Sequence, residues 1–144
     1  MTAWCHGAPG LALARALAAT ALQDPSLLAD VTAALTTTAS VPVRLDDHLC
    51  CGSMGRSDVL LTVGELLRAP ASIEAAWRLA LGVVRRAGAE GRYRLTSRGY
   101  EFRAFDPGFF RGLSGIGYGL LRLAAPSRLP SILAFELPPP VPRS

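Results

Sequence analysis

Leu49-Cys50-Cys51-Gly52-Ser53-Met54-Gly55 opens a segment that continues through Leu60, Leu61, Val63, Leu66 and Leu67. Two glycines three residues apart make a turn, and the apolar residues that follow cover a wide face of a helix. The same grammar recurs at Trp4-Cys5-His6-Gly7-Ala8-Pro9-Gly10 and at Phe110-Arg111-Gly112-Leu113-Ser114-Gly115. Gly7, Gly52 and Gly112 stand roughly 45 and 60 residues apart, a range typical of helical-pair repeats. All three cysteines fall in the first two turns, just before the leading glycine.

Working outward, the first unit predicts a helix from about Gly10 to Leu22. Asp24-Pro25 then supplies an N-cap and a first-turn proline. The next helix carries Leu27, Leu28, Val31 and Leu35 on one face, and Thr36-Thr37-Thr38 with Pro42 end it. The second unit repeats the plan, with a helix over about Gly55 to Arg68. Pro70 and Ser72 restart the chain, Ile73, Trp77, Ala80, Leu81 and Val84 form the next stripe, and Gly88 closes it. Between Arg92 and Phe105, aromatic and polar residues alternate around Ser97-Arg98-Gly99, as a short hairpin or an irregular loop would require. The third unit has a helix over Gly115 to Ala124. A proline-rich tail follows, whose Leu129, Ile132, Leu133 and Phe135 pack back on the body. The fold class is therefore all-α, built of antiparallel helix pairs. The first helix of each pair is apolar nearly all round and buried on both sides, giving an inner ring within an outer one. Three such units make part of a ring.

The chain has 144 residues, enough for one domain. Half of it is hydrophobic, and the mean hydropathy of +0.30 is high for a freestanding soluble domain. The net charge is +4, yet the basic residues are all arginine and scattered, with only Arg85 and Arg86 adjacent. A nucleic-acid surface would be denser in charge and interleaved with aromatics, so nucleic acid is excluded as a partner. Leu11 to Leu22 is too short to span a membrane, carries Arg15, and lacks the positive lead of a signal peptide. The expected compartment is cytoplasmic, where thiols stay reduced. An odd number of cysteines then points to metal binding or a reactive thiol rather than to disulfides.

Zinc takes four ligands, and a catalytic zinc keeps one position open beside three protein ligands. Cys5, Cys50 and Cys51 supply three, and the paired Cys-x-x-Cys hooks of a closed structural site are absent. Three thiolates leave the metal electron-rich. It is then a weak activator of water, but it still deprotonates a bound thiol and leaves it nucleophilic, which favours thiol alkylation. The plainer alternative is that these cysteines fill space, as free cysteine often does. His6 reads either as a general acid or base beside the metal or as a packed histidine. His48 reads as a supporting or structural residue, Asp46 and Asp47 as a solvated loop or a cap, and the glycines as turn and close-packing positions.

In order and spacing, the motifs Trp4 to Gly10, Asp47-His48-Leu49-Cys50-Cys51-Gly52 and Pro107 to Tyr118 resemble the C-terminal cyclase domain of class II lanthipeptide synthetases. The ending Leu129-Pro130-Ser131-Ile132-Leu133 followed by Glu136 is similar too, so the resemblance covers essentially residues 1–144. It implies a zinc-dependent cyclase on an α/α toroid of helical hairpins. Such an enzyme adds a peptide cysteine thiol to dehydroalanine or dehydrobutyrine, forming the thioether rings of lanthipeptides. It implies Zn²⁺ on Cys5, Cys50 and Cys51, with His6 as the group that protonates the enolate. The expected partners are a dehydrated precursor peptide and the rest of a synthetase chain. The earlier hairpins, an upstream active-site histidine and the dehydratase domain fall outside this sequence. The chain therefore reads as the C-terminal part of the domain, about three of the family's seven hairpins, with catalysis dependent on a partner. Two further readings stay open: a non-catalytic remnant or peptide-binding module, and glutathione-type thiol addition on the same scaffold.

Overall fold

Each Gly-x-x-Gly turn leads directly into a helix. The computed structural model describes residues 1–43, 46–95, 105–138 and 140. Among them are α1 (Ala8–Leu22), α2 (Leu28–Ser40), α3 (Ser53–Leu66), α4 (Pro70–Glu90) and α5 (Leu113–Ala124), with a 3₁₀ turn over Pro25–Leu27. The described residues form no strand, only an isolated bridge between Thr2 and Gly7. The aromatic segment expected to form a hairpin or loop lies largely outside the described residues. None of the helices is long and apolar enough to cross a membrane.

α3 is the axis of the molecule. It packs against α4, α1, α5 and α2, while α1 pairs with α2. Every residue from Ser53 to Gly64 is buried, as expected for a helix of an inner layer. Leu60 and Leu61 are almost wholly covered, each worth about 1.5–3 kcal/mol of apolar burial. α1 departs from that expectation: Ala12, Leu13, Ala16 and Ala19 face inward, while Leu11 and Leu22 lie exposed.

Four sequence expectations are corrected here. The threonine run does not end α2. Thr36, Thr37 and Thr38 turn their hydroxyls onto the carbonyls four residues back, and the helix continues to Ser40. Asp24 caps a 3₁₀ turn rather than α2 itself, its carboxylate accepting from the Ser26 amide at 2.9 Å. Gly88 lies inside α4, and Gly91, in the left-handed region at φ 67°, closes it. Of the stripe expected on α4, Ala80 is buried and Ile73 packs against the core, whereas Val84, Trp77 (41 % exposed) and Leu81 (43 % exposed) face outward. The inner face of α4 is Ser72, Ala75, Ala76, Leu79, Ala80, Val83 and Ala87. Small residues win there because the helices run close. A β-carbon on Gly64 of α3 would stand 2.7 Å from the Ile73 side chain, and Ser57 and Ser72 bridge the pair through the carbonyls of Ala76 (2.9 Å) and Leu60 (2.8 Å).

Two buried arginines hold the periphery to α3. Arg56 donates to the carbonyls of Thr38 (3.3 Å), Val41 and Pro42 (3.0 Å), satisfying the open C-terminal end of α2. Arg122 of α5 pairs with Asp58 at 3.0 Å, and the other Asp58 oxygen accepts from the Ser131 hydroxyl at 2.8 Å. The tail thus packs back as expected through Leu133, while Phe135 points outward, 81 % exposed.

Candidate metal centre

The three turns are built alike at the level of single atoms. A β-carbon on Gly10, Gly55 or Gly115 would overlap the carbonyl oxygen six residues earlier, of Trp4, Leu49 and Phe109 respectively. Only glycine permits that approach, which folds each pre-helical segment back over the helix start. The equivalence sets residue against residue: Cys5, Cys50 and Phe110 share one place, and His6, Cys51 and Arg111 the next.

The turns also touch. The Cys50 amide donates to the Phe110 carbonyl at 2.8 Å. The Trp4 ring stacks on Phe110 with centroids 5.8 Å apart and planes 10° from parallel, while Phe109 meets Phe110 edge-on. This clasp brings the sulfurs together. Cys5 Sγ lies 3.4 Å from Cys51 Sγ, which in turn lies 3.4 Å from Cys50 Sγ. The His6 Nδ1 is 3.0 Å from Cys5 Sγ. Cys5 and His6 are exposed and Cys50 and Cys51 half-buried, so the cluster opens to solvent on one side.

The donor set suits a zinc ion. With Zn–S bonds of about 2.3 Å, the edge of a tetrahedron is about 3.8 Å, close to the observed sulfur spacing. Among the described residues, the group whose ligand atoms all lie within 4.8 Å of one another is Cys5, His6 and Cys51; Cys50 is outside it and adjoins it through the Cys51 sulfur. The electrostatics point the same way. Burial pushes the Cys50 thiol up to about 12, assisted by its hydrogen bonds with Cys5 and Cys51. Burial also raises Cys51, against the opposing pull of the Arg111 guanidinium. Packed thiols resist losing their protons together, and a cation among them removes that resistance.

His48 takes the supporting place expected of it. It is buried, its Nδ1 accepts from the Cys51 amide at 3.3 Å, and its Nε2 faces Asp46 Oδ2 at 3.8 Å. Burial lowers its pKa, which favours the neutral ring, and an Nδ1 that accepts from the amide leaves the proton of that ring to Nε2. Asp47 is neither a solvated loop residue nor a helix cap, contrary to the sequence expectation. Its side chain is 0 % exposed and its Oδ2 accepts from Arg86 and from the Arg94 amide. A carboxylate so enclosed must be paired, and its pairing fixes the segment from which His48, Cys50 and Cys51 project. Arg111 is the residue the motif reading passed over. Its signal was its register, one place before the third leading glycine, where the second turn has Cys51.

No curated protein and no solved structure matches the chain. The family model described as lanthionine synthetase C-like protein matches residues 1–134, nearly the whole sequence. The all-helical pairs, the repeated glycine turns and the gathered thiols are what that match covers, and the chain belongs to the lanthionine synthetase C-like family.

Proposed function

We propose that this chain carries the zinc site of a lanthionine-forming cyclase, holding Zn²⁺ through Cys5, Cys50 and Cys51. The observation that carries this reading is the approach of Cys51 Sγ to both Cys5 Sγ and Cys50 Sγ, each at 3.4 Å, across two equivalent turns on a face open to solvent. The family membership supports this class of reaction. Residues 1–144 are taken as the C-terminal part of the cyclase domain, acting on a dehydrated precursor peptide with the rest of a synthetase chain. The setting is cytoplasmic, where the thiols stay reduced.

Bound zinc would lower the pKa of a substrate thiol and leave its sulfur nucleophilic. The chain's own groups do the rest. The sulfur adds to the β-carbon of dehydroalanine or dehydrobutyrine, and the alkene electron pair moves toward the neighbouring carbonyl. His6, exposed beside Cys5, takes up the thiol proton and returns it to the α-carbon. Arg111 offers positive charge on the third turn, beside Cys51, where the negative charge of the thiolates gathers. The neutral, buried His48 holds the Cys51 backbone through its amide.

The test is zinc stoichiometry in the purified chain and in Cys51→Ala, followed by a thioether assay on a dehydrated peptide by mass spectrometry after thiol alkylation. One zinc per chain, lost in the variant, supports the reading. A chain that binds no zinc, alone or with a partner supplying further helical pairs, defeats it.

A further inference from the structure

We propose that His6 is a fourth metal ligand, closing the site in its resting state and yielding to an incoming thiol. The inference rests on the zinc reading above and adds a ligand that the three-cysteine pattern does not contain.

Three observations carry it. First, the turns are equivalent, so the two places before Gly7 correspond to the two before Gly52. Cys5 matches Cys50, and His6 matches Cys51. If both places in the second turn supply donors, the same geometry in the first turn presents Cys5 and His6. The result is two donors from each of two turns, the number a tetrahedral ion takes. Second, the His6 ring is already turned toward the sulfurs. Its Nδ1 lies 3.0 Å from Cys5 Sγ, and a ring nitrogen lies within 4.8 Å of Cys51 Sγ. A Zn–N bond of about 2.0 Å beside Zn–S bonds of about 2.3 Å gives an N–S edge of about 3.5 Å, between those limits. Third, His6 is exposed and His48 is buried with Nδ1 engaged by the Cys51 amide. Of the chain's two histidines, His6 is the one that is both exposed and beside a cysteine sulfur.

The third turn marks where this pattern stops. The corresponding places there hold Phe110 and Arg111, which offer no ligand. Phe110 instead stacks on Trp4 and accepts from the Cys50 amide, pressing the two donor turns together.

When a thiol replaces the imidazole, the metal–nitrogen bond breaks and a metal–sulfur bond forms. The thiol proton passes to the freed ring, so the total charge of the site and its histidine is unchanged. A closed resting site also keeps water off the metal until substrate arrives.

The experiment is X-ray absorption at the zinc edge on the full chain loaded with Zn²⁺ alone, for wild type, His6→Ala and His48→Gln. The expected result is three sulfurs and one nitrogen, with an imidazole signal lost in His6→Ala and retained in His48→Gln. Excess small alkyl thiol should convert the wild type to four sulfurs without imidazole. Zinc held by three sulfurs and oxygen, with identical wild-type and His6→Ala spectra, overturns the inference and leaves the cyclase reading standing. An imidazole that persists in excess thiol overturns its exchange. Absence of bound zinc overturns this inference and the cyclase reading together.

Discussion

Gly55 lies against the carbonyl oxygen of Leu49 so closely that no side chain fits between them. Cys50 and Cys51 are carried on the intervening turn, so the helix start and the proposed metal ligands share one backbone constraint. Gly55→Ala must push the turn off α3. We expect a loss of about 1–3 kcal/mol in denaturant unfolding, the usual range for forced overpacking, with weakened zinc binding alongside. Unchanged stability with full zinc occupancy would show that the turn has slack the geometry denies.

Gly88 is the control for that experiment. It sits within α4, and a β-carbon there would meet nothing within 4 Å. Gly88→Ala should therefore stabilise the fold by about 0.5–1 kcal/mol through helix propensity alone. A shift of the urea midpoint upward, without change in slope, is the expected readout.

Asp58 is the counter-charge of a buried arginine. Arg122 is 2 % exposed, with Glu65 and Glu136 standing farther off, at 3.7 and 3.8 Å. Asp58→Ala removes the nearest of the three carboxylates around that guanidinium and should cost about 3 kcal/mol, the lower end of what breaking a buried pair costs. Ser131→Ala removes one neutral donor to Asp58 and the acceptor of the Ala134 amide, and should cost about 1–2 kcal/mol. Equal losses in the two variants would place the tail's hold, rather than the ion pair, at the centre of this cluster.

Metal loading should release protons. Burial keeps Cys50 protonated up to about 12 and raises Cys51 as well, whereas the ligand form is the thiolate. Zinc affinity should therefore fall steeply as pH is lowered and rise as it is raised. Calorimetric titration in buffers of different ionisation enthalpy should show about three protons displaced per zinc near neutral pH. A pH-independent affinity would mean that the thiols were not the ligands.

The helices were legible because glycine turns and apolar runs act locally. The thiol cluster was legible as a grouping because the turns repeat, although the sequence alone could not supply the sulfur distances. What stayed hidden has one cause: charge buried by partners far away in sequence. Nothing local in the sequence marks Arg56 and Asp58 for burial, because their partners are Thr38, Val41 and Pro42 in one case and Arg122 and Ser131 in the other. Asp47 looked like a surface residue because Arg86 stands 39 positions away. The outward turn of Trp77 and Leu81 escaped for a related reason. Bulk marks a core face only when the neighbouring helix leaves room, and Gly64 shows that α3 leaves almost none.

The contact between Cys5 and Cys51 spans 46 positions of chain. An ion bound across it would act as a rivet, turning α1, α2 and their connections into a closed loop. Closing a loop of that length removes much of the unfolded chain's freedom, and long loops gain most from such a clip. The fold's resistance to unfolding would then track the free zinc concentration, rising by a fixed increment for each tenfold increase above the dissociation constant. A chelator would loosen the first helical pair without touching a single side-chain contact within it.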